Sequence, residues 1–274
     1  MAVVLSLVSA LAYGVSDFLG GITAKRATAW QVAVVGQSTA VVLMTIVALI
    51  VGGSPSWHDL VMAAAAGVGS GLGCAFLYRG LAGARMGVVA PISAVGTALL
   101  PVIVGVTLGD RPHLLATIGI ILAFPAIVLI SRTKDADDAH RSGVVDGILA
   151  GLGFGVLFSF LAQVDDAAGM WHFPLMYVVS TLTVLVTAAS LRQVWRPTRA
   201  ALPALVMGPI SVLAVVAFYF GTRHGLLSVV AVISSLYPAA TVLLAALLLK
   251  ERIQPWQAVG LACATAAVTL VALG

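Results

Sequence analysis

Two charged side chains lie inside long apolar stretches of this sequence. Asp17 lies about two-thirds of the way along the first stretch, and Arg79 lies near the end of the third. A carboxylate at the centre of a membrane-spanning helix costs about 2.5–3.5 kcal/mol on insertion scales, so it normally faces a cavity or a partner. Asp17 therefore predicts a site for a substrate amine or a proton. The structural alternatives are a buried ion pair and a residue of the inner vestibule, since Asp17 is only eight positions from Lys25.

Arg79 has three interpretations from the sequence. It would lie at a depth similar to that of Asp17, which suggests an ion pair between neighbouring helices. Its guanidinium group could instead bind an anionic substrate group through two parallel N–H donors. A third interpretation is that the long side chain extends to the membrane surface.

Other polar residues in the apolar stretches could bind a ligand or bond one helix to another. Gln37 offers both a donor and an acceptor, and hydroxyl groups gather near Pro91 and Pro101 in the fourth stretch and Pro238 in the ninth. Each proline removes a helix hydrogen bond and bends the helix, so these three are predicted hinges. The predicted substrate-binding residues are Tyr13, Asp17, Gln37, Tyr78, Arg79, Ser93, Thr97, Tyr219, Ser234, Ser235 and Tyr237. No catalytic residue, metal site or cofactor is predicted.

The composition is that of a polytopic membrane protein. Hydrophobic residues make up 61% of the 274 residues and charged residues 9%, whereas soluble domains carry about 25% charged residues. The net charge of +4 comes from residues in short loops, where they mark topology. This distribution argues against nucleic-acid binding.

The apolar stretches predict an all-α fold of ten transmembrane helices, because a membrane helix needs about 20 mostly apolar residues. The predicted spans are residues 2–22, 31–51, 60–82, 87–108, 113–131, 145–163, 174–191, 201–222, 226–248 and 256–273.

The chain also repeats itself with a shift of 141 positions. Val88–Ser93 (VVAPIS) returns as Val229–Ser234 (VVAVIS), and the pair Asp110-Arg111 returns as Glu251-Arg252. We therefore divide the chain into two five-helix repeats, residues 1–133 and 142–274, joined by a polar linker at 134–141. Because five is odd, the second repeat would be inverted relative to the first in the membrane.

Basic residues indicate the orientation of the chain. Loops after odd-numbered spans hold eleven of the 14 lysines and arginines, and loops after even-numbered spans hold only Arg111 and Arg223. Since basic loops stay in the cytoplasm, both termini are predicted to lie outside the plasma membrane. The eleven residues are Lys25, Arg26, Arg85, Arg132, Lys134, Arg141, Arg192, Arg196, Arg199, Lys250 and Arg252.

The segments Tyr78–Arg111 and Phe220–Arg252, with Tyr13–Phe18 (YGVSDF) on the first span, resemble the drug/metabolite transporter superfamily and, within it, the EamA-type family. The resemblance covers essentially the whole chain. It implies a basket of ten helices around a central cavity, lined mainly by helices one, three, four, six, eight and nine. The fifth and tenth helices would lie at the periphery.

These observations together predict a secondary transporter of small polar or amphipathic metabolites, either amino-acid-like or drug-like, with export as the expected direction. Alternating access would operate between the two inverted halves. Proton coupling is a hypothesis that rests on Asp17. The alternatives are an uncoupled facilitated exchanger and a non-transporting membrane subunit or scramblase. An enzyme is not expected, because a lipid-modifying enzyme would need catalytic acids or histidines clustered near one face. The protein is expected to be a monomer or a homodimer.

Overall fold

The computed structural model describes residues 1–82, 86–131, 140–248, 250 and 253–273, without the side chains of 86–88, 90, 91, 131, 140–142 and 245. Over these residues the regular structure is helical, with no strand. The α-helices are α1 (Ala2–Ala24), α2 (Ala29–Val51), α3 (Trp57–Ala82), α4 (Met86–Thr107), α5 (Leu114–Ser131), α6 (His140–Leu161), α7 (His172–Ser190), α8 (Ala204–Arg223), α9 (Leu227–Ser234), α10 (Tyr237–Leu248) and α11 (Pro255–Leu273).

Eight helical segments of the described chain are long and apolar enough to cross a membrane. Two shorter apolar helices, 92–107 and 114–130, accompany them. The predicted all-helical membrane architecture is thus confirmed, while the count of ten crossings stays a prediction. The eight segments are Ala2–Ala24, Ala29–Val51, Trp57–Ala82, Gly143–Leu161, His172–Ser190, Arg199–Arg223, Leu227–Leu248 and Pro255–Leu273.

The outward faces of these helices are apolar. Ile50, Val186 and Leu247 are among many large aliphatic side chains that are mostly exposed. Soluble proteins rarely expose apolar patches of this extent, because water makes them costly. An apolar surface of this extent is suited to contact with the lipid of a membrane.

Glycines bring the interior helices into backbone contact. A Cβ atom on Gly69 of α3 would lie 2.5 Å from the carbonyl oxygen of Gly153 in α6, and one on Gly153 would lie 2.5 Å from the amide nitrogen of Gly73. Gly96 of α4 and Gly151 of α6 approach in the same way. In a membrane, where no hydrophobic effect drives helices together, such close van der Waals packing holds the bundle.

The helices form two packed groups with matching contacts. In one group α3 packs on α6 and α7, and α4 packs on α6; in the other α8 packs on α1 and α2, and α9 and α10 pack on α1. Under the 141-residue shift, each contact in the first group has its counterpart in the second.

Two helix pairs with equivalent positions in the repeat run antiparallel. Gly53, just after α2, lies against Ala168, just before α7, whereas Thr28 at the start of α2 bonds to the carbonyl oxygen of Val194 after α7. Likewise α5 and α11 contact each other head to tail, since Gly119 lies against Ala267 and Val271 while Gly260 lies against Ile130.

The ninth predicted span is broken into two helices. α9 ends at Ser234 and α10 begins at Tyr237, with a turn in which the amide of Leu236 donates to the carbonyl oxygen of Ile233 at 3.1 Å. Pro238 lies in the first turn of α10. Backbone N–H groups in a first turn make no hydrogen bond within the helix, so a proline there removes none. By contrast, α4 is one continuous helix across Pro101. The side chain of Pro91 lies outside the described residues. The hinge roles of the three prolines stay predictions.

Candidate functional site

Asp17 is a buried carboxylate in the middle of α1, one turn after Tyr13. It is 8% exposed, and within the described part of the chain it has neither a hydrogen bond nor an ion pair. A charged group in that position is costly unless a partner compensates it. Asp17 therefore marks a place where a ligand or a proton would be stabilised.

A narrow cavity lies beside Asp17, between α1, α4, α6 and α10. It contains about 220 Å³ of space not filled by atoms, including space open to solvent, and its free room is only about that of one water molecule. The structure is therefore closed around this site, and a larger solute requires the helices to move apart. The lining residues are Tyr13, Asp17, Thr97, Phe154, Phe158 and Tyr237.

Aromatic rings form most of the cavity wall. The ring of Tyr13 lies 5.7 Å from that of Phe158 and 6.4 Å from that of Tyr237, centroid to centroid. Phe158 is held by stacking on Phe218 at 3.9 Å. The hydroxyl of Tyr237 donates to Ser93 Oγ at 3.3 Å, so this ring is oriented by a hydrogen bond. Thr97, one turn after Ser93, bonds to its carbonyl oxygen.

A second cavity lies where α1 faces α2, α3 and α8. Gln37 donates from Nε2 to Ser70 Oγ and to Cys74 Sγ, each at 3.2 Å. Its Oε1 is buried and has no partner among the described residues, which leaves an acceptor free. The lining residues are Ser16, Val32, Ala33, Gly36, Gln37, Cys74, Tyr78, Met207 and Ser211. The structure thus places Gln37 and Tyr78 together, at a cavity separate from that of Asp17.

Arg79 pairs with Asp146, not with Asp17, so the suggested Asp17–Arg79 pair is wrong. Arg79 Nε donates to Asp146 Oδ1 at 2.9 Å, and the guanidinium also lies 4.5 Å from the centre of the Phe76 ring. The physical reason is the packing of α3 on α6, which brings the end of one helix to the start of the other. Because its charge is already compensated, Arg79 is not a free anion-binding group in this state.

Three of the remaining predicted residues, Tyr219, Ser234 and Ser235, do not line either cavity. Tyr219 donates from its hydroxyl to the carbonyl oxygen of Asp165 at 3.1 Å, in the loop between α6 and α7. Ser234 and Ser235 are fully buried beside the break between α9 and α10, and their hydroxyls have no partner within the described residues. Neither serine lines the two cavities.

Sequence reasoning missed three residues of this region: Phe154, Phe158 and Asp146. The repeat contained a signal for two of them, because Phe154 and Phe158 are the 141-shifted equivalents of Tyr13 and Asp17. Asp146 is an acidic residue at the very start of the predicted sixth span, a position that did not distinguish it from loop residues.

A further polar cluster ties the start of α3 to the loop before α7. Asp59 accepts hydrogen bonds from the amide and hydroxyl of Ser56 and, at 2.8 Å, from the amide of Asp165. Arg223 Nε lies 3.1 Å from a carboxylate oxygen of Asp166 in the same loop. These hydrogen bonds and this ion pair join α3 and α8 to the loop before α7, so the cluster has a structural role.

Comparison with known proteins agrees with this geometry. Residues 141–273, the second repeat, match the model of the EamA-like transporter family. Over the second half of the chain, this match confirms the resemblance to the EamA-type family of membrane transporters that the sequence indicated.

The fold has a counterpart among solved structures. One crystal structure is similar over 99% of this chain and 96% of its own, with a TM-score of 0.77 and 14% sequence identity. At that identity the likeness shows the fold alone. No curated protein matches the sequence. Within the described residues, no group of three or more histidine, cysteine, aspartate or glutamate side chains is placed to hold a metal ion.

Proposed function

We propose that this EamA-like protein is a secondary transporter of small polar or amphipathic solutes. The observation that carries the proposal is the buried carboxylate of Asp17, which has no partner among the described residues and lines a cavity between the two packed groups of helices. Transporters built from repeats place their binding sites near the bilayer midplane, where the repeats meet. An unpaired carboxylate at that place is the feature expected of a binding site.

The two halves are proposed to be inverted copies that together cross the membrane ten times. In support, α2 and its equivalent α7 run antiparallel, as do α5 and α11. The cavity also draws equivalent residues from both halves, Tyr13 with Phe154 and Asp17 with Phe158. Inverted halves that share one cavity suit alternating access, because one rocking motion exposes the site to either side.

The site is closed where α4 ends and α9 begins. Asp110 accepts a hydrogen bond from the amide of Ser228 at 2.8 Å. Gly105 has no side chain, and this allows α4 and α9 to approach closely here. This contact joins the two packed groups, so it would have to break for a solute to pass. In the proposed orientation it is the outer closure, with both termini outside the plasma membrane and export as the direction.

Proton coupling is the proposed source of energy. The ionisable side chains that interact electrostatically with Asp17 are Tyr13, Cys74, Tyr78 and Tyr237, none of which is a base. Since no described residue gives it a cationic partner, the carboxylate can bind either a proton or a substrate, and competition between the two would give antiport. An uncoupled exchanger, the alternative, would not respond to a pH gradient.

Counterflow in proteoliposomes tests the proposal. Vesicles loaded with one unlabelled solute from a panel of amines, amino acids and neutral metabolites should accumulate the labelled form of a true substrate. We expect Asp17→Asn to abolish the response to a pH gradient. Asp166→Asn, the same change at an exposed site, should behave as the wild type. If Asp17→Asn kept pH-driven uptake intact, proton coupling through this residue would be rejected.

A further inference from the structure

We propose that the Asp17 cavity selects organic monocations, such as tertiary and quaternary amines that carry no anionic group. The inference rests on the proposed transport function and names its substrate class. Neither the family nor the structural relative assigns a substrate to this site.

The first reason is charge. Asp17 is more than nine-tenths buried and has no partner within the described residues. Among the described residues that line the cavity it is the only charged one, and Tyr13, Thr97 and Tyr237 add only neutral hydroxyls. A bound cation would neutralise the carboxylate in surroundings where solvent screens the attraction weakly.

The second reason is the chemistry of the wall. The aromatic residues Tyr13, Phe154, Phe158 and Tyr237 line the same cavity as the carboxylate. The face of an aromatic ring attracts cations electrostatically, most strongly when the cation has lost its water, and rings of this kind recognise quaternary ammonium groups. A carboxylate and aromatic rings thus favour the same ligand, a cation with apolar substituents.

The third reason is the absence of a partner for an anionic group. Arg79, which the sequence suggested as a possible partner of Asp17, is already paired with Asp146. Among the described residues, no lysine, arginine or histidine lines either of the two cavities. A zwitterion such as an amino acid would therefore bury its carboxylate without compensation, next to a second carboxylate. This separates a monocation from the amino-acid-like solutes that the sequence also allowed.

Three small probes of nearly equal shape separate these effects. Choline is a monocation, 3,3-dimethyl-1-butanol is its neutral carbon analogue, and glycine betaine adds a carboxylate to the same trimethylammonium group. Isothermal titration calorimetry on the purified full-length protein should give choline an affinity at least about tenfold higher than either of the other two. Equal affinity for any two of them, or no choline binding at about 10 mM, would overturn the inference.

Variants show whether binding occurs at this cavity. Asp17→Asn should weaken choline binding at least about tenfold, and Phe158→Leu should weaken it about three- to thirtyfold by removing a ring face. Asp166→Asn should leave it unchanged. Asp17→Asn should also melt no lower than the wild type, because it removes an uncompensated buried charge. Undiminished choline binding by Asp17→Asn would contradict the assignment.

The two proposals fail in different ways. If a neutral or anionic solute shows counterflow while choline does not bind, the protein is a transporter and the substrate class is wrong. If choline binds in an Asp17-dependent manner but no solute shows counterflow, the site is right and the transport function is wrong.

Discussion

At the scale of single residues, the most informative group is the carboxylate of Asp17, because the described residues give it no compensating partner. Asp17 is buried without a partner in the described structure, while Asp59, Asp110 and Asp146 are all hydrogen-bonded. Places where a protein departs from the rules of stable packing are commonly its functional sites. The contrast within one chain is therefore stronger support for a binding role than burial alone.

The ion pair between Arg79 and Asp146 gives a test at this scale. We expect Arg79→Gln and Asp146→Asn each to lower the free energy of unfolding by about 1–3 kcal/mol, less than for a fully enclosed pair because Arg79 is partly exposed. The double variant should lose less than the sum of the two, because neither charge is then left alone. Thermal melting of the three purified variants in detergent measures the difference. Additive losses would mean that the two side chains do not interact.

The residue scale also shows where sequence reasoning stops. A charge within an apolar stretch is visible in the sequence, so Asp17 and Arg79 were both found. Which carboxylate pairs with the arginine depends on the packing of α3 against α6, and hydropathy contains no information on helix neighbours. The sequence therefore identified Arg79 as an unusual residue but left its partner open, and none of its interpretations named Asp146.

At the scale of helices, the sequence was a good guide to position and a poor one to continuity. The predicted span at 31–51 corresponds to α2 (Ala29–Val51), and the span at 60–82 to α3 (Trp57–Ala82). The predicted span at 226–248 is instead two helices. Hydropathy averages over about 20 residues, so it places an apolar segment but does not detect a two-residue turn within it.

The contact between α3 and α6 can be tested with one added methyl group. Gly153→Ala should destabilise the protein by about 1–3 kcal/mol, because the new Cβ would meet the backbone of Gly69 and Gly73, which cannot rotate away. Gly36→Ala is the matched control, since its Cβ would meet nothing closer than 3.8 Å. That control should be neutral or up to about 1 kcal/mol stabilising, because alanine favours helix over glycine. Equal melting temperatures for the two variants would refute the close approach.

At the scale of the whole molecule, the repeat explains what could be predicted about the site. The 141-residue shift relates Asp17 to Phe158, and the fold brings both to one cavity. A repeat noticed in the sequence thus points to the surface where its copies meet, whereas the size of the cavity and its closure depend on helix tilts that no sequence pattern specifies.

Cysteine labelling tests the proposed topology of the two halves. Ser54→Cys after α2 and Gln193→Cys after α7 lie in equivalent loops, and both positions are exposed. In a background where Cys74 and Cys263 are replaced by alanine, a membrane-impermeant maleimide applied to intact cells should modify the first and not the second. Permeabilised cells, the control, should show both modified. Labelling of both in intact cells would contradict inverted halves.

The break between α9 and α10 has no counterpart in α4, which is unbroken. The second half of the molecule therefore has a possible bending point between two helices, and the corresponding part of the first half is one continuous helix. If each half moves to open one face of the membrane, then one opening requires the α9–α10 break to bend and the other requires α4 to tilt as a rigid helix. The activation barriers of the two openings then differ. When these barriers and the free energies of the two open conformations differ, the protein spends unequal times in the inward-open and outward-open conformations, even with no gradient across the bilayer. A competitive inhibitor would then be more effective from the side of the membrane to which the site is open for the longer time.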